Sequence, residues 1–403
     1  MPTVSDSVLG AGRLLFDGVG GLTTLVERMH ETIARHPLPF SAAPDEPTRG
    51  HGPIAAGVYE SIRIVNGWAR NGFDLTAGPL LRSLEDPSEP ASPGQEAAVS
   101  ALNGLYGDHL DASENPLAIP MTFRVDGRNV EPASPQLAAV VRNPTSHVVV
   151  LLHGLCMSDR WSAEGRQSLG DQLQERAGFT ALTLRYNTGR HISTNGRELA
   201  HKLEALVAAW PLEVESLTLI GHSMGGLVAR SAGRYGSEAG HAWVSKLRKL
   251  VCLGSPHHGA PLEKGGNTLS AALRLSQYTD PIGLLSRIRS AGIKDLRYGN
   301  LCDEDWQGRD PDALGGDPRR TLLLLPHVET YLAAATLAQK SSRSPLDLVG
   351  DGLVTTASAL GRHVDAERRL LVPRERRHVF YGTGHLELVD SPIVHRKVVE
   401  WLS

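Results

Sequence analysis

The stretch Leu217–Arg230, LTLIGHSMGGLVAR, constrains the fold more than any other in the chain. An apolar run suited to a buried strand meets Gly221-His222-Ser223-Met224-Gly225, and helix-compatible residues follow at once. A serine at that junction sits on a strained strand-to-helix turn, and the glycines on either side let the two backbones come close. Such a turn needs a sheet to carry it, so the flanking sequence must supply further strands and helices in alternation.

It does. His147–Leu152 is a continuous apolar run ending in His153-Gly154-Leu155-Cys156. Ser168–Arg176 reads as a helix, Thr180–Tyr186 as a strand, and Asn195–Trp210 as a helix with Leu199, Leu203, Leu206 and Val207 on one face. Beyond the serine turn, Leu250–Leu253 is an apolar strand leading into Gly254-Ser255-Pro256-His257-His258-Gly259; Thr330–Leu337 and His378–Tyr381 are further strands, and Pro392–Leu402 closes as a helix. Upstream, Ile119, Met121, Phe123 and Val125 alternate before an Asp126-Gly127 turn, the mark of a hairpin. The expected class is α/β, a mostly parallel sheet with helices on both faces. Between Pro261 and Thr321 the rhythm lapses. Leu269–Tyr278 and Pro281–Ile288 read there as short apolar helices, so residues of about 262–321 are expected to form a lid-like insertion.

The first third of the chain differs in kind. Apolar residues at Leu15, Val19, Leu22, Val26, Met29 and Ile33 follow helical spacing, although glycines at 10, 12, 18, 20 and 21 weaken it, each by up to about 1 kcal/mol. Pro-rich linkers separate this segment from a second helical pattern through Val58, Ile62, Val65 and Trp68, and from a third through Ala98, Leu102 and Leu105. Residues 1–115 are thus expected to be a helical N-terminal region and 116–403 the α/β domain. These helices are expected to pack as an appendage on the α/β domain, with peripheral membrane association or self-association through residues 1–40 as the alternative.

With 41 basic and 44 acidic residues the net charge is −3, which does not suggest nucleic acid as a partner. Cys156, Cys252 and Cys302 are too few and too scattered for a disulfide framework or a metal motif, and no apolar run approaches the roughly twenty residues of a membrane span. The N-terminus has Asp6 and no basic residue before its broken apolar stretch, a poor signal peptide, so a cytoplasmic location is expected.

A serine hydroxyl is a weak nucleophile that needs a base within reach and a carboxylate to fix that base. Asp351, between two glycines in Gly350-Asp351-Gly352, and His385, after Gly382 and Gly384, follow Ser223 in the chain, each after a strand end. Asp347 is the rival acid, and His257 or His258 is an alternative base. In acyl transfer the Leu155 and Met224 N–H groups would hold the oxyanion. Arg185, Asn187, Arg190 and His191 follow a strand end and are candidates to line the site. Asp303-Glu304-Asp305 lacks the alternating ligands of a calcium loop and reads as solvated. No metal or other cofactor is expected.

From about His147 onward, His153-Gly154-Leu155, Gly221-His222-Ser223-Met224-Gly225-Gly226, Gly254 to Gly259, Gly350-Asp351-Gly352-Leu353-Val354 and Gly384-His385-Leu386 resemble the lipase and esterase branch of the α/β-hydrolase superfamily, with likeness to bacterial lipases and to hydrolases of the GPI-inositol-deacylase type. The resemblance implies Ser223 as nucleophile, Asp351 as acid, His385 as base and Leu155 and Met224 as oxyanion donors. The implied substrate is a small-molecule or lipid ester. Thioesterase, amidase and acyltransferase chemistry stay open on the same residues, as does a non-catalytic membrane or assembly role for the N-terminal helices.

Overall fold

The computed structural model describes residues 4–35, 63, 66–67, 70, 74, 93–132, 137–141, 143–161, 166–260, 289–310, 317, 319–339 and 350–403. The expected lid helices at 269–278 and 281–288, Asp347, and Val58, Ile62, Val65 and Trp68 lie outside these. The chain divides into two compact units. One holds Met1–Glu96, His109–Ala118 and Gly266–Arg289; the other holds Ala97–Asp108, Ile119–Gly265 and Ser290–Ser403.

The larger unit is built on a sheet of eight described strands, ordered β2-β1-β4-β3-β5-β6-β7-β8. These are β1 (Thr122–Val125), β2 (Arg128–Val130), β3 (His147–Leu152), β4 (Thr180–Arg185), β5 (Ser216–His222), β6 (Leu247–Leu253), β7 (Glu329–Thr336) and β8 (Arg377–Tyr381). The hairpin β1–β2 turns through Asp126 and Gly127, both with positive φ (49° and 74°), which is why Asp-Gly marks it in the sequence. β1 runs antiparallel to both β2 and β4, and every other pairing is parallel. The chain leaves β3 outward to β4, then returns to lay β5 on the other side of β3. That reversal opens a crevice at the carboxyl ends of β3 and β5, where ligands of open α/β sheets bind. The fold is an α/β-hydrolase fold.

Both faces of the sheet are covered, which explains the continuous apolar strands. In β3, Val148, Val150 and Leu152 enter one core and Val149 and Leu151 the other. The first core takes helices α5 (Ile192–Ala209) and α6 (Met224–Glu238); the second takes α4 (Leu169–Ala177) and the closing helix α10 (Pro392–Leu402). Short helices α3 (Leu137–Val140), α7 (Trp243–Lys246), α8 (Ala291–Asp295) and α9 (Thr356–Ala359) complete the unit. α4 shows how locally its limits are set: Ser168 and Asp171 form a capping box at its start, and Gly178 at φ 68° ends it. α5 instead begins at Ile192, three residues before the expected Asn195, because Asp295 from α8 accepts the Ile192 N–H at 2.8 Å.

In the smaller unit α1 (Val4–Arg35) is one helix despite its glycines. Gly10 is required by packing, since a Cβ there would lie 2.3 Å from Leu117 Cγ. Asp17 on its polar face is bonded to Arg70 and, at 2.9 Å, to His109, and Arg13 pairs with Asp74 at 2.9 Å. The third helical segment is longer than expected, forming α2 (Pro93–Ala112), and its residues Ala97–Asp108 belong to the larger unit. Among the described residues no helix is long and apolar enough to cross a membrane.

Candidate active site

Ser223 stands between β5 and α6 at φ 53° and ψ −121°, a strained conformation for a residue with a side chain, worth about 1–3 kcal/mol. The surroundings enforce it. Ser223 N–H donates to the Leu253 carbonyl of β6 at 2.8 Å, and its carbonyl accepts from Gly226 N–H at 3.2 Å. A Cβ on Gly221 would meet Gly226 N at 2.2 Å, so Gly221 lets the strand pass the helix. Gly225 does something else: its Cβ would meet the Leu152 carbonyl oxygen at 2.4 Å, so it seats the helix start on the end of β3. Gly226, the third glycine, backs onto Ser255 after β6, whose Oγ a Cβ would meet at 2.1 Å.

The exit of β3 passes directly beside the serine. A Cβ on Gly154 would lie 3.0 Å from both Ser223 Cβ and His222 Nδ1. The chain then turns, with Met157 N–H donating to the Gly154 carbonyl at 3.2 Å and Cys156 at φ 60°. Among the described residues the Leu155 and Met224 N–H groups make no hydrogen bond; Leu155 follows Gly154 in the loop after β3, and Met224 is the first residue of α6.

Helix α2 braces this edge, a role the sequence reading did not assign. A Cβ on Gly104 would meet Cys156 Sγ at 2.1 Å and its Cα and N at 2.9 Å. One on Gly107 would meet Asn187 Oδ1 at 1.8 Å. Asn187 Nδ2 donates to the Gly107 carbonyl at 2.8 Å, and Ser290 Oγ to the Gly104 carbonyl at 2.6 Å. Three loops at the carboxyl edge of the sheet thus rest on one helix face. The available signal was Gly104 and Gly107, three apart and so on one face of a helical stretch.

His385 Nδ1 lies 2.7 Å from Asp351 Oδ2, with both side chains buried. The other carboxylate oxygen accepts from Leu353 N–H at 3.0 Å and Val354 N–H at 2.8 Å, and the Asp351 carbonyl accepts from His385 N–H at 3.2 Å. Gly350 at φ 70° and Gly352 at φ 99° provide the turn, as their flanking positions imply. With Nδ1–H directed to a carboxylate, the free electron pair of His385 is on Nε2. Gly254, the first residue after β6, lies alongside: a Cβ there would meet the imidazole Cε1 and Nδ1 at 3.3 Å. Ser223 Oγ makes no hydrogen bond among the described residues. The contact between the two segments runs through His222, whose Nε2 donates to the His385 carbonyl at 3.0 Å.

The other histidines have different partners. His153 stacks on Tyr186 at 4.5 Å, its Nδ1 meets the Gly154 carbonyl at 2.9 Å, and burial lowers its pKa to about 4. Burial, followed by the nearby His385, lowers His222 to about 3. His257 Nδ1 accepts from Arg230 at 3.2 Å, and burial holds this ring well below the ordinary histidine range. His258 N–H donates to Ser358 Oγ.

The candidates after β4 brace loops. Arg185 is buried, Asn187 is bound to α2 as above, Arg190 pairs with Glu198 at 2.6 Å, and His191 stacks on Trp306 at 3.6 Å with its Nδ1 3.1 Å from Asp295. Asp303-Glu304-Asp305 is only partly solvated: Asp303 bonds Arg197, the partly exposed Glu304 bonds Arg234 at 3.0 Å, and buried Asp305 accepts the Leu301 and Cys302 N–H groups at 2.8 and 3.0 Å. These partners lie 70 or more residues away for Asp303 and Glu304, beyond the reach of local pattern.

Residues 143–308 match the model of the family described as PGAP1-like alpha/beta domain. Among solved structures, the chain is similar to a mature lipase of Bacillus licheniformis at 15% identity and TM-score 0.40, covering 65% of this chain and 95% of that one. It is also similar to a Pyrococcus furiosus esterase (14%, TM-score 0.35, 64% and 83% covered) and to a Staphylococcus hyicus lipase (13%, TM-score 0.36, 64% and 94% covered). No curated protein compared with the chain matches it. Residues 143–308 thus match the PGAP1-like alpha/beta domain model, in a chain that has the α/β-hydrolase fold.

Proposed function

We propose that the chain is a serine hydrolase of carboxylic esters, with Ser223 as nucleophile, His385 as base and Asp351 as the acid that orients it. The observation carrying this reading is the buried 2.7 Å contact of His385 Nδ1 with Asp351 in a unit that also holds Ser223 on a strained turn at φ 53°. Ser223 Oγ attacks the acyl carbonyl while His385 Nε2 takes its proton. The negative oxygen of the tetrahedral intermediate is held by the Leu155 and Met224 N–H groups; loss of one such donor costs about 3–4 kcal/mol. The intermediate collapses as His385 returns the proton to the leaving alcohol, and water then releases the acid by the same steps, with the Asp351 carboxylate stabilising the imidazolium each time. Thioester, amide or acceptor-alcohol chemistry differs only in leaving group or acceptor.

The test is labelling by a fluorophosphonate together with hydrolysis of a p-nitrophenyl ester series. Wild type should label and turn over, whereas Ser223→Ala should do neither while keeping its unfolding transition. Asp351→Asn should label slowly and lose most of kcat. Turnover that survives Ser223→Ala, or a folded wild type that does not label, overturns the assignment.

A further inference from the structure

Of the two N–H groups expected to hold the oxyanion, that of Met224 is set by the start of α6, whereas that of Leu155 lies in a loop and must be aimed by its neighbours. A trans peptide is planar, so an N–H points opposite to the carbonyl of the same plane. Two such planes meet at Leu155. In the first, the Gly154 carbonyl accepts from His153 Nδ1 at 2.9 Å and from Met157 N–H at 3.2 Å, which directs the Leu155 N–H the other way. In the second, the Cys156 N–H donates to Thr188 Oγ1 at 3.2 Å. Cys156 itself holds φ 60°, a conformation that a residue with a side chain keeps only where its surroundings maintain it.

These three hydrogen bonds differ in what they can fix. The two on the Gly154 carbonyl come from residues 153 and 157 of the same short stretch, so they turn with it. The third reaches the loop after β4, and that loop is clamped. Thr188 is 1% exposed. On one side the Asn187 carbonyl accepts from Asn195 Nδ2 at 2.9 Å, and on the other the Gly189 carbonyl accepts from Gly292 N–H at 2.9 Å. Gly292 packs so closely that a Cβ there would lie 2.1 Å from the Thr188 carbonyl oxygen. A β-branched side chain on a backbone held this way has little rotamer freedom, so Oγ1 stays aimed at Cys156.

We propose that Thr188 is a positioning residue of the oxyanion site: its hydroxyl oxygen, by accepting the Cys156 N–H, holds the peptide on the carboxyl side of Leu155 and thereby fixes the direction of the Leu155 N–H. The inference rests on the ester-hydrolase reading above. Thr188 acts through Leu155, and its effect belongs to one stage of the reaction. A donor aimed at the place of the oxyanion gains most once negative charge has developed there, so turning it aside lowers kcat and leaves KM nearly as it was.

The experiment measures p-nitrophenyl ester kinetics and thermal unfolding of the full chain in wild type, in Thr188→Val, which keeps the shape and loses the acceptor, and in Thr188→Ser, which keeps the acceptor. Thr188→Val should lower kcat by about 10- to 100-fold, part of the roughly 10²–10³ that follows outright loss of a donor, with KM and the unfolding midpoint nearly unchanged. Thr188→Ser should keep most of the wild-type kcat. Wild-type kcat in Thr188→Val, a loss confined to KM, or an equal loss in Thr188→Val and Thr188→Ser each overturns the proposal. Should Thr188→Val not fold, Thr188→Ala against Thr188→Ser decides, because the two differ by the hydroxyl oxygen alone: a lower kcat in Thr188→Ala supports the role, and equal kcat refutes it. A folded wild type that neither takes the fluorophosphonate label nor turns over ester removes the ester-hydrolase reading itself, whereas an active wild type with an indifferent Thr188 removes this inference only.

Discussion

A methyl group added at Gly104, on a helix with no expected part in the chemistry, should disable the site while sparing the fold. In Gly104→Ala the new Cβ would lie 2.1 Å from Cys156 Sγ and 2.9 Å from Cys156 Cα and N. The thiol can rotate away, but the two backbone atoms cannot. Carbon contacts relax at about 3.5–4.0 Å, so the main chain after Leu155 must retreat by roughly half an ångström or more. Overpacking of this kind costs about 1–3 kcal/mol, and Ala in place of Gly within a helix returns up to about 1 kcal/mol, so net stability falls by about 0–3 kcal/mol. An oxyanion donor moved out of line costs about 10²–10³ in rate. The expected pattern is a kcat for p-nitrophenyl ester hydrolysis lower by about 10²-fold, a nearly unchanged KM, and a small drop in unfolding midpoint. Cys156→Gly in the same chain should recover part of the rate, because a glycine at φ 60° adopts that backbone without strain and lets the main chain yield to the new methyl group at lower cost. A Gly104→Ala enzyme with wild-type kcat would refute the bracing role of α2. So would a loss that tracks the unfolded fraction and is not rescued at position 156.

Two other outcomes follow from buried polar groups. His153 and His222, held at about 4 and about 3 by burial, are neutral when folded and take up protons near 6.5 when unfolded. Between those values the unfolded state binds more protons, so stability rises with pH: it is complete above about 6.5 and is lost as pH falls toward 4. Each ring contributes at most about 2 kcal/mol between pH 6.5 and 5, and urea midpoints that match at pH 7 and pH 5 would sink this reasoning. Arg124 of β1 binds Asp159, in the loop after β3, through Nη1 at 2.8 and 3.0 Å, with both side chains nearly buried. Asp159→Ala leaves that guanidinium without its carboxylate and should cost about 3–5 kcal/mol in denaturant unfolding; a change under 1 kcal/mol would show the pair to be dispensable.

The parts of this fold legible in the sequence are those specified locally. Strand β3 was visible because a strand covered on both faces carries an unbroken apolar run, and the Asp126-Gly127 turn because it needs two positive φ angles in succession. The settings of Ser223 and Asp351 were visible because each needs adjacent glycines whose conformation or lack of a Cβ has no substitute. What escaped depends on contacts between distant segments. The start of α5 is set by Asp295 about a hundred residues later, and the place of α2 by Gly104 meeting Cys156 and Gly107 meeting Asn187. In a single sequence a helical glycine kept for contact looks the same as one that merely weakens a helix.

The five histidines beside the glycine motifs show how burial sorts residues that composition cannot tell apart. His153, His222, His257, His258 and His385 all follow or adjoin strand ends, and sequence left three of them as candidate bases. A base must be better stabilised after it gains a proton than before. The ring nitrogens of His153 and His222 that form hydrogen bonds meet backbone carbonyls, and although the Asp159 carboxylate favours a charged His153, burial outweighs it and opposes protonation of both. His257 is worse placed, since Arg230 already occupies its Nδ1 and adds like charge. His385 alone among the five has a carboxylate at Nδ1, and that carboxylate is fixed by two backbone N–H groups and so cannot turn away. The pairing favours His385 over its neighbours as the base for reasons independent of motif. It also explains why His222 can sit between serine and base without competing: its proton is committed to the carbonyl of the residue it adjoins.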